Sequence, residues 1–224
     1  MCVIYAQNVV FSYKTKCQKV QALKGVSCAL QPGKFYVLVG KNGSGKTTLL
    51  SLMAGLEIPE EGDVYFKNKN LKEIDKDMYR RKQVSVIYQN YNLFPLMTVL
   101  ENIMYPLLLN GYTKKKAEEQ AILIMEKVGL NSTHIKRFPA MLSGGEQQRV
   151  AIARALAIKA EVILADEPTG NLDAENTEQI IDLLYKLAHE DGCCVLVSTH
   201  DAEIKNKADV VWKMNDGRME EEIP

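Results

Sequence analysis

Residues 40–47 read GKNGSGKT and lie between an apolar run, FYVLV, and a segment with helical character, TTLLSLMA. Three glycines in so short a loop allow the backbone to turn its N–H groups inward, and a helix that begins directly after the loop adds a positive potential. A strand, a glycine-rich loop with a lysine and a helix in this order are typical of nucleotide phosphate binding. This segment, the phosphate loop, therefore predicts an α/β fold with a P-loop NTPase core.

The residues of the phosphate loop have separate expected roles. Lys46 is predicted to reach the β- and γ-phosphates, the Thr47 hydroxyl to ligate Mg²⁺, and Thr48 to contact the α-phosphate. An ordinary strand-to-helix turn with a surface lysine is the alternative, and the agreement of every fixed position disfavours it. We therefore expect ATP and Mg²⁺ as cofactors. The other nucleotide-binding positions predicted in the loop are Gly40, Asn42, Gly43, Ser44 and Gly45.

Four short apolar runs, FYVLVG, VSVIYQ, VILADE and CVLVSTH, predict parallel strands buried on both faces. Because ligand sites in such sheets gather at the carboxyl ends of the strands, polar residues at those ends are site candidates. Adjacent side chains of a strand point to opposite sides, which predicts different roles for Asp166, in the Mg²⁺ shell, and Glu167, which would orient or activate the attacking water. Solvated carboxylates at a strand end are the alternative for this pair.

Two further candidates follow the runs. His200 is predicted to hydrogen-bond the γ-phosphate and hold the attacking water, although a capping role is also open. Gln89 is predicted to contact Mg²⁺ or water and to act as a hinge towards a helical region, although such a glutamine is usually just solvated. His134 and His189 lack a comparable position, so we expect them to be surface residues.

The rest of the pattern predicts how these strands are surrounded. Residues 3–13 and 22–33 indicate an N-terminal antiparallel β region, and an Asp-Gly pair between strand-like arms near the C-terminus indicates a hairpin. Helices are predicted at 47–54 and 114–128, each followed by a glycine. We expect one domain over 1–224, with a catalytic core and β region at about 1–89 and 161–224 and a helical subdomain at about 90–160.

Charge and composition limit the partners of the chain. The 28 basic and 28 acidic side chains cancel, so neither nucleic acid nor an anionic membrane surface is an expected partner. No apolar run approaches a membrane-spanning length, and we expect a cytoplasmic protein. The five cysteines lack the paired spacing of a zinc or redox site, and we expect reduced thiols at Cys2, Cys17, Cys28, Cys193 and Cys194.

Six motifs in order give the chain a resemblance to the nucleotide-binding subunits of ATP-binding cassette (ABC) transporters. They are the phosphate loop, Gln89, LSGGE at 142–146, VILADE at 162–167, NLD at 171–173, and His200. In that family the LSGGE-type segment, here called the signature (residues 142–146), binds the γ-phosphate of ATP held by a partner subunit. The resemblance thus implies an ATPase that works as a head-to-tail homodimer around two ATP molecules, with Ser143, Gly144 and Gly145 acting on the partner's ATP.

The resemblance also assigns Asp173 a role across the dimer interface and Tyr13 a role in stacking on adenine. Packing of Phe11 and Tyr13 on a strand face remains an alternative for the tyrosine. Glu146 departs from the glutamine that is more common in the family. Because a carboxylate facing a phosphate is unfavourable, we expect Glu146 to point outward.

The resemblance implies a separate transmembrane permease, which would dock on the helical subdomain and hold the subunit at the inner face of the cell membrane. ADEPTGNLD at 165–173 and NLFPLMTVLENI at 92–103 resemble lipoprotein-release, macrolide-export and antimicrobial-peptide-resistance ATPases. An importer of small solutes and a soluble ABC ATPase without a transport role remain alternatives. The cargo and the permease are not encoded in these motifs.

Overall fold

The structure, a computed structural model, describes residues 2–14, 18–201 and 204–222 and contains two β-sheets and six α-helices within them. It confirms the predicted α/β fold. The strands are β1 (Ile4–Lys14), β2 (Lys19–Leu30), β3 (Phe35–Val39), β4 (Glu61–Phe66), β5 (Lys69–Asn70), β6 (Val84–Tyr88), β7 (Val162–Asp166), β8 (Cys194–Thr199), β9 (Val210–Asn215) and β10 (Arg218–Glu222). The helices are α1 (Lys46–Met53), α2 (Lys76–Lys82), α3 (Val99–Leu109), α4 (Lys114–Lys127), α5 (Gly144–Ala157) and α6 (Ala174–His189).

The larger sheet has the spatial order β10-β9-β3-β8-β7-β6 and is parallel from β9 to β6. All four predicted apolar runs form neighbouring strands of it. In β3, Phe35 and Val37 join the core on the side of α3 to α6, whereas Tyr36 and Leu38 join the core on the side of α1. Both faces are therefore buried, which explains why these strands have continuous apolar sequences.

The smaller sheet is antiparallel and has the spatial order β2-β1-β4-β5. Its first two strands confirm the predicted N-terminal β region. The sequence reading did not include β4, which pairs with β1 and extends the sheet. Residues from both strands, such as Ile4 and Val64, pack with α1 in one core.

The two predicted helices are confirmed within about a residue. In α1, Ala54 caps the C-terminus and Gly55 follows with φ +65°. In α4, one face places Ala117, Ala121 and Met125 in the core, and the chain turns after the helix at Gly129. Helices α3, α4 and α5 contact one another. The division into a catalytic core and a helical subdomain at about 90–160 stays a prediction.

The predicted C-terminal hairpin is formed by β9 and β10. Its two-residue turn has positive φ at both positions, 45° at Asp216 and 74° at Gly217, as a type I′ turn requires. The Gly217 N–H donates to the Ser44 carbonyl at 2.9 Å. The hairpin turn thus binds the backbone of the phosphate loop, although the two segments are far apart in sequence.

The described cysteines are free thiols, as expected: Cys2, Cys28, Cys193 and Cys194. Burial raises the pKa of Cys28 to about 12 and also raises that of Cys194, which keeps both protonated. The fifth, Cys17, lies outside the described residues. None of the helices in the described part of the chain has the length and apolarity needed to cross a bilayer.

Candidate nucleotide site

The parallel sheet gathers the predicted site residues at one edge. Strands β3, β6, β7 and β8 run in the same direction, so the residues that follow their carboxyl ends meet there. These residues are the phosphate loop after β3, Gln89 after β6, Asp166 and Glu167 at the end of β7, and His200 after β8. The Gly40 N–H donates to the Thr199 carbonyl at 3.3 Å, which ties the first of these segments to the last.

The phosphate loop has the backbone conformation that its glycines permit. Gly43 has φ +78° and Gly45, which caps α1, has φ +112°. Lys46 is 4% exposed, and its ammonium donates to the carbonyls of Gly40 at 2.8 Å and Lys41 at 3.3 Å. The lysine therefore lies inside the loop, with its charge held by backbone dipoles.

One atom of the loop has an unused hydrogen-bonding capacity. The Ser44 Oγ is buried and has no hydrogen-bond partner among the described residues. Buried hydroxyls are usually bonded, so a ligand group is the natural partner for this one. Together with the Lys46 ammonium and the first-turn N–H groups of α1, it forms a donor set suited to the phosphates of ATP.

Tyr13, Thr47 and Thr48 surround the start of α1. Thr47 is exposed and Thr48 is buried. The Tyr13 hydroxyl lies 3.3 Å from Thr48 Oγ1, and the ring is 45% exposed. Phe11, by contrast, is buried and meets the Tyr13 ring edge-on, with centroids 5.0 Å apart. The phenylalanine is thus the packing residue, while the tyrosine presents an accessible ring beside the phosphate loop.

Asp166 is oriented by a residue that the sequence reading missed. The buried Ser198 hydroxyl donates to Asp166 Oδ1 at 2.6 Å. Ser198 lies opposite Asp166 in the β7–β8 ladder. Aligning the ends of the apolar runs would have placed a buried hydroxyl beside this carboxylate, and that signal was available in the sequence.

The side chains of Glu167 and Asp166 have different directions for a reason other than the predicted one. Strand β7 ends at Asp166, and Glu167 has φ +47°, so strand alternation does not separate the two side chains. The Glu167 N–H donates to the Ser198 carbonyl at 3.0 Å, which holds the backbone in this left-handed conformation. Such a conformation costs about 1–3 kcal/mol and is commonly found at functional sites.

The Glu167 carboxylate lies between two basic groups. Its Oε1 is 3.4 Å from the Lys46 ammonium, and its Oε2 is 3.3 Å from His200 Nδ1. The side chain of Glu167 is 16% exposed, whereas that of His200 is 58% exposed. The structure therefore brings together the carboxylate predicted to act on the attacking water and the lysine and histidine predicted to contact the γ-phosphate.

Gln89 connects this edge to the NLD segment. Its Nε2 donates to Asn171 Oδ1 at 3.4 Å, and Asn171 Nδ2 donates back to the Gln89 carbonyl at 3.2 Å. A Cβ atom at Gly170 would come within 2.7 Å of Gln89 Nε2, so this glycine permits the approach. Asn171 is a second contact that sequence reading did not single out.

The residues predicted to bind Mg²⁺ have the right chemistry for that ion. Thr47, Asp166 and Gln89 offer hydroxyl, carboxylate and amide oxygens, which are the hard ligands that Mg²⁺ prefers. No cluster of three or more His, Cys, Asp or Glu side chains suited to a metal occurs in the described ranges. A nucleotide-site Mg²⁺ takes few protein ligands and is completed by phosphate and water.

The signature forms the N-terminus of α5. Ser143 is the N-cap, and its Oγ accepts the Glu146 N–H at 3.2 Å. The N–H groups of Gly144 and Gly145 belong to the first turn, where the helix has no carbonyl for them. A Cβ atom at Gly145 would come within 2.8 Å of Asn176 Cγ, which explains the glycine. Within the described part of the chain, the Ser143 hydroxyl proton and these two backbone N–H groups therefore remain as donors for an anion.

Glu146 folds back on the helix start. Its Oε2 accepts the Ser143 N–H at 2.7 Å, and its Oε1 lies 2.9 Å from His134 Nε2. The prediction that His134 is a surface residue is wrong, since it is 8% exposed. The turn Ser132–His134 carries it beneath the signature, a contact between loops that no local pattern indicates. His189, in contrast, is exposed as expected.

Asp173 caps α6, which starts beside the signature. Its Oδ1 accepts the Asn176 N–H at 2.8 Å, and the Asn176 side chain bonds both carboxylate oxygens. The Asn176 backbone N–H and then its side-chain amide hold the pKa of Asp173 below its usual range. Asp173 is therefore an ionised, exposed group near Gly145, which Asn176 also contacts.

A phosphate loop, a buried lysine, two carboxylates and a second helix N-terminus on an α/β sheet define a P-loop nucleotide hydrolase. Comparison with known proteins identifies the family of this hydrolase. The chain belongs to the ABC transporter family, whose sequence pattern matches residues 23–170. It is an ABC transporter ATPase subunit, which binds and hydrolyses ATP.

Three relatives illustrate the likeness. The chain is 38% identical to the uncharacterized ABC transporter ATP-binding protein YclH of Bacillus subtilis, over 97% of this chain and 95% of that protein. It is 40% identical to the lipoprotein-releasing system ATP-binding protein LolD of Saccharophagus degradans, over 96% of this chain and 95% of that protein. A dimeric post-hydrolysis structure of the cassette MJ0796 of Methanocaldococcus jannaschii, bound to ADP and Pi, is 37% identical, with a TM-score of 0.90 over 98% of this chain and 97% of that chain.

Proposed function

We propose that the subunit closes as a head-to-tail homodimer on two ATP molecules and thereby drives a separate membrane permease. One observation supports the dimer. The chain has two helix N-termini suited to phosphate, but they have separate surroundings. The signature contacts His134, Tyr91 and Asn176, whereas Lys46 contacts Glu167 and the carbonyls of its own loop. The free donors of the signature are thus available to a nucleotide on a second copy. The dimeric state of the similar cassette MJ0796 supports this arrangement.

The contacts of two nucleotides are strong enough to drive closure. Moving an open pair from about 1:99 to 99:1 closed requires roughly 5.5 kcal/mol of differential binding. A hydrogen bond to a charged group contributes about 1.5–3 kcal/mol. Each ATP would receive such bonds from Ser143, Gly144 and Gly145 of the other copy, with Asp173 acting across the same interface. Hydrolysis removes the γ-phosphate and with it these bonds, so the dimer opens.

In the hydrolysis step, a water oxygen forms a bond to the γ-phosphorus while the bond from that phosphorus to the β–γ bridging oxygen breaks. Glu167 orients the water and takes up its proton, and His200 hydrogen-bonds the γ-phosphate. Lys46 neutralises charge on the β- and γ-phosphates, which requires it to turn from the loop carbonyls towards the nucleotide. A bound Mg²⁺, held by Thr47, Asp166 and Gln89, would supply further charge neutralisation.

The backbone of the phosphate loop, at Gly40, Asn42, Gly43, Ser44 and Gly45, would hold the phosphates, with Thr48 at the α-phosphate. Tyr13 would stack its accessible ring on the adenine. The Tyr13 hydroxyl already lies beside Thr48, so the ring is close to a nucleotide held by the phosphate loop. Aromatic stacking on a base contributes about 1–3 kcal/mol.

The permease would dock in a groove where helices α3 and α5 meet α2 and β6, at the edge of the predicted helical subdomain. The groove has a volume of about 300 Å³. Four exposed large apolar side chains line it: Leu56, Phe94, Tyr105 and Leu109. The exposed Leu96 and Leu108 are close to these residues in the chain. Arg80, Arg81 and Arg154 also line the groove. Exposed apolar side chains gathered around one groove are characteristic of protein–protein contact sites.

We place the subunit at the inner face of the cell membrane, bound through its permease, in a release, export or peptide-resistance system. The GNLD form of residues 170–173 and the identity with a lipoprotein-releasing ATPase support this subgroup.

Dimer formation is tested with Glu167→Gln, which keeps nucleotide binding but removes the group that acts on water. Light scattering with saturating ATP is expected to give twice the monomer mass, and ADP is expected to give the monomer. Glu190→Gln is the matched control, because Glu190 is an exposed residue at the end of α6, and it should hydrolyse ATP normally. A Glu167→Gln protein that stays monomeric at saturating ATP would refute the proposed dimer.

Docking is tested with Leu96→Glu, since Leu96 is 89% exposed and follows Phe94, a lining residue of the groove, by two positions in the chain. Leu123→Glu is the control, because Leu123 is a 58% exposed leucine on α4 outside the groove. We expect the tagged wild-type and Leu123→Glu proteins, but not Leu96→Glu, to copurify with a permease from native membranes. Equal recovery with all three would place the docking surface elsewhere, and recovery of ribosomes or DNA without a membrane protein would contradict the transport function.

A further inference from the structure

Glu146 is the third residue of α5, and its carboxylate turns back to the helix start, beside the donors that the proposed function assigns to the partner's ATP. The Ser143 N–H, with a further contribution from the His134 imidazole, holds the pKa of Glu146 below its usual range, while partial burial opposes them. The side chain is therefore ionised at neutral pH. A free carboxylate here would repel the γ-phosphate and weaken the closed dimer.

The structure restrains this carboxylate at both oxygens. Oε2 accepts the Ser143 N–H at 2.7 Å, and Oε1 faces His134 Nε2 at 2.9 Å. An ionised carboxylate only accepts hydrogen bonds, so Nε2 must carry the proton and donate it. The Arg137 guanidinium lies farther away, at 3.8 Å from Oε1, and its side chain is 41% exposed.

The imidazole itself is fixed. His134 is 8% exposed, and the Asn131 N–H donates to its Nδ1 at 3.2 Å. The Asn131 carbonyl lies 3.3 Å from the same nitrogen, so the backbone of the turn holds the ring on this side while Nε2 faces Glu146 on the other. Few alternative positions are open to a ring that is buried and bonded at both nitrogens.

We propose that His134 is a positioning residue for the signature, because its Nε2–H keeps the Glu146 carboxylate bound to the helix start and away from the γ-phosphate of ATP held by the partner subunit. This inference rests on the proposed head-to-tail dimer. Without the imidazole, one carboxylate oxygen loses its fixed donor. The carboxylate then samples orientations closer to the partner's phosphate, which opposes closure but leaves the attacking water and Glu167 unchanged.

The test compares His134→Phe, which removes the donor but keeps a ring, with His134→Gln, whose amide can donate to Glu146. The ATP concentration for half-maximal dimer formation is measured in the Glu167→Gln background, and KM and kcat are measured without that change. His134→Phe is expected to raise the half-saturating concentration and KM about fivefold, the scale of one charge interaction at a partly exposed interface. The kcat at saturating ATP should stay within about twofold, and His134→Gln should restore KM.

Glu146→Gln distinguishes this role from a general packing defect. In that background no carboxylate charge remains, so His134→Phe is expected to have no further effect on KM. An equal effect of His134→Phe in both backgrounds, or no effect in either, would overturn the inference. The Glu167→Gln protein with His134 intact reports separately on the dimer: if it does not dimerise with ATP, the proposed function itself fails.

Discussion

Two alanine substitutions in the phosphate loop should differ in their effect on stability, although both replace a glycine with positive φ. A Cβ atom at Gly43 would meet no other atom within 4 Å, so Gly43→Ala introduces only backbone strain. A Cβ atom at Gly45 would come within 2.6 Å of the Ala22 carbonyl oxygen and 3.0 Å of Leu23 Cδ2 and Met214 Sδ. The carbonyl belongs to the backbone of β2 and cannot move aside.

The magnitudes follow from these contacts. An alanine in a left-handed conformation destabilises the folded state by about 1–2 kcal/mol. Alanine also reduces the conformational freedom of the unfolded chain, which favours the folded state by about 0.4–1 kcal/mol. Gly43→Ala should therefore reduce the free energy of unfolding by about 1 kcal/mol or less. Gly45→Ala carries a further packing strain of about 1–3 kcal/mol, for a total loss of about 3 kcal/mol. For a chain of this length, a loss of about 1 kcal/mol lowers Tm by about 2–4 °C and a loss of about 3 kcal/mol lowers it by about 6–12 °C.

The assay is urea unfolding of the nucleotide-free protein, followed by the fluorescence of its single tryptophan. Trp212 is buried and stacks on Tyr36, with ring centroids 4.9 Å apart, so its emission should report loss of the core. Nucleotide is left out because ATP binding would stabilise the folded state and mask the difference. Equal losses for the two variants would refute the reasoning, since they would show that the β2 carbonyl does not restrict the position of Gly45.

Three other predictions concern single side chains. Ser198→Ala should weaken Mg·ATP binding about tenfold in isothermal titration, with a smaller change in EDTA, because it removes the 2.6 Å bond that orients Asp166. Asn102→Ala should lower the free energy of unfolding by about 3 kcal/mol in urea, because it deletes a fully buried amide whose four backbone bonds shape the loop before α3. Hydrogen bonds from basic side chains, first of all Lys14, lower the pKa of Glu60 from 4.5 to about 2, so it stabilises the fold above its unfolded pKa and this contribution is lost as pH falls through that range. Glu60→Gln should therefore flatten the stability curve between pH 4.5 and about 2, and an unchanged curve would contradict this origin.

Much of the site could be predicted because its information is local. The glycines of the phosphate loop, the apolar run before it and the helix after it are contiguous, and strand ends in a parallel sheet meet at one edge by geometry. Lys46, Glu167 and His200 were predicted on that basis and do lie together. Their chemical roles in ATP hydrolysis remain predictions until the variants are measured.

Local reasoning failed where a residue's environment depends on distant chain segments. Glu167 was expected to extend the strand, but the Ser198 carbonyl binds its N–H and turns the backbone into a left-handed conformation. His134 was expected at the surface because nothing near it in sequence explains burial. It is covered because the turn that carries it packs beneath the start of α5.

The sequence by itself determined the fold class, the family and the nucleotide-binding loop of this protein, since each follows from short contiguous patterns with fixed backbone requirements. Only the tertiary structure decided which side chains contact the carboxylates of the nucleotide site and of the signature. Ser198 reaches Asp166 through strand register, and His134 reaches Glu146 through the packing of a turn against a helix. Such contacts depend on the relative placement of elements far apart in the chain, and that placement results from burial of the whole core.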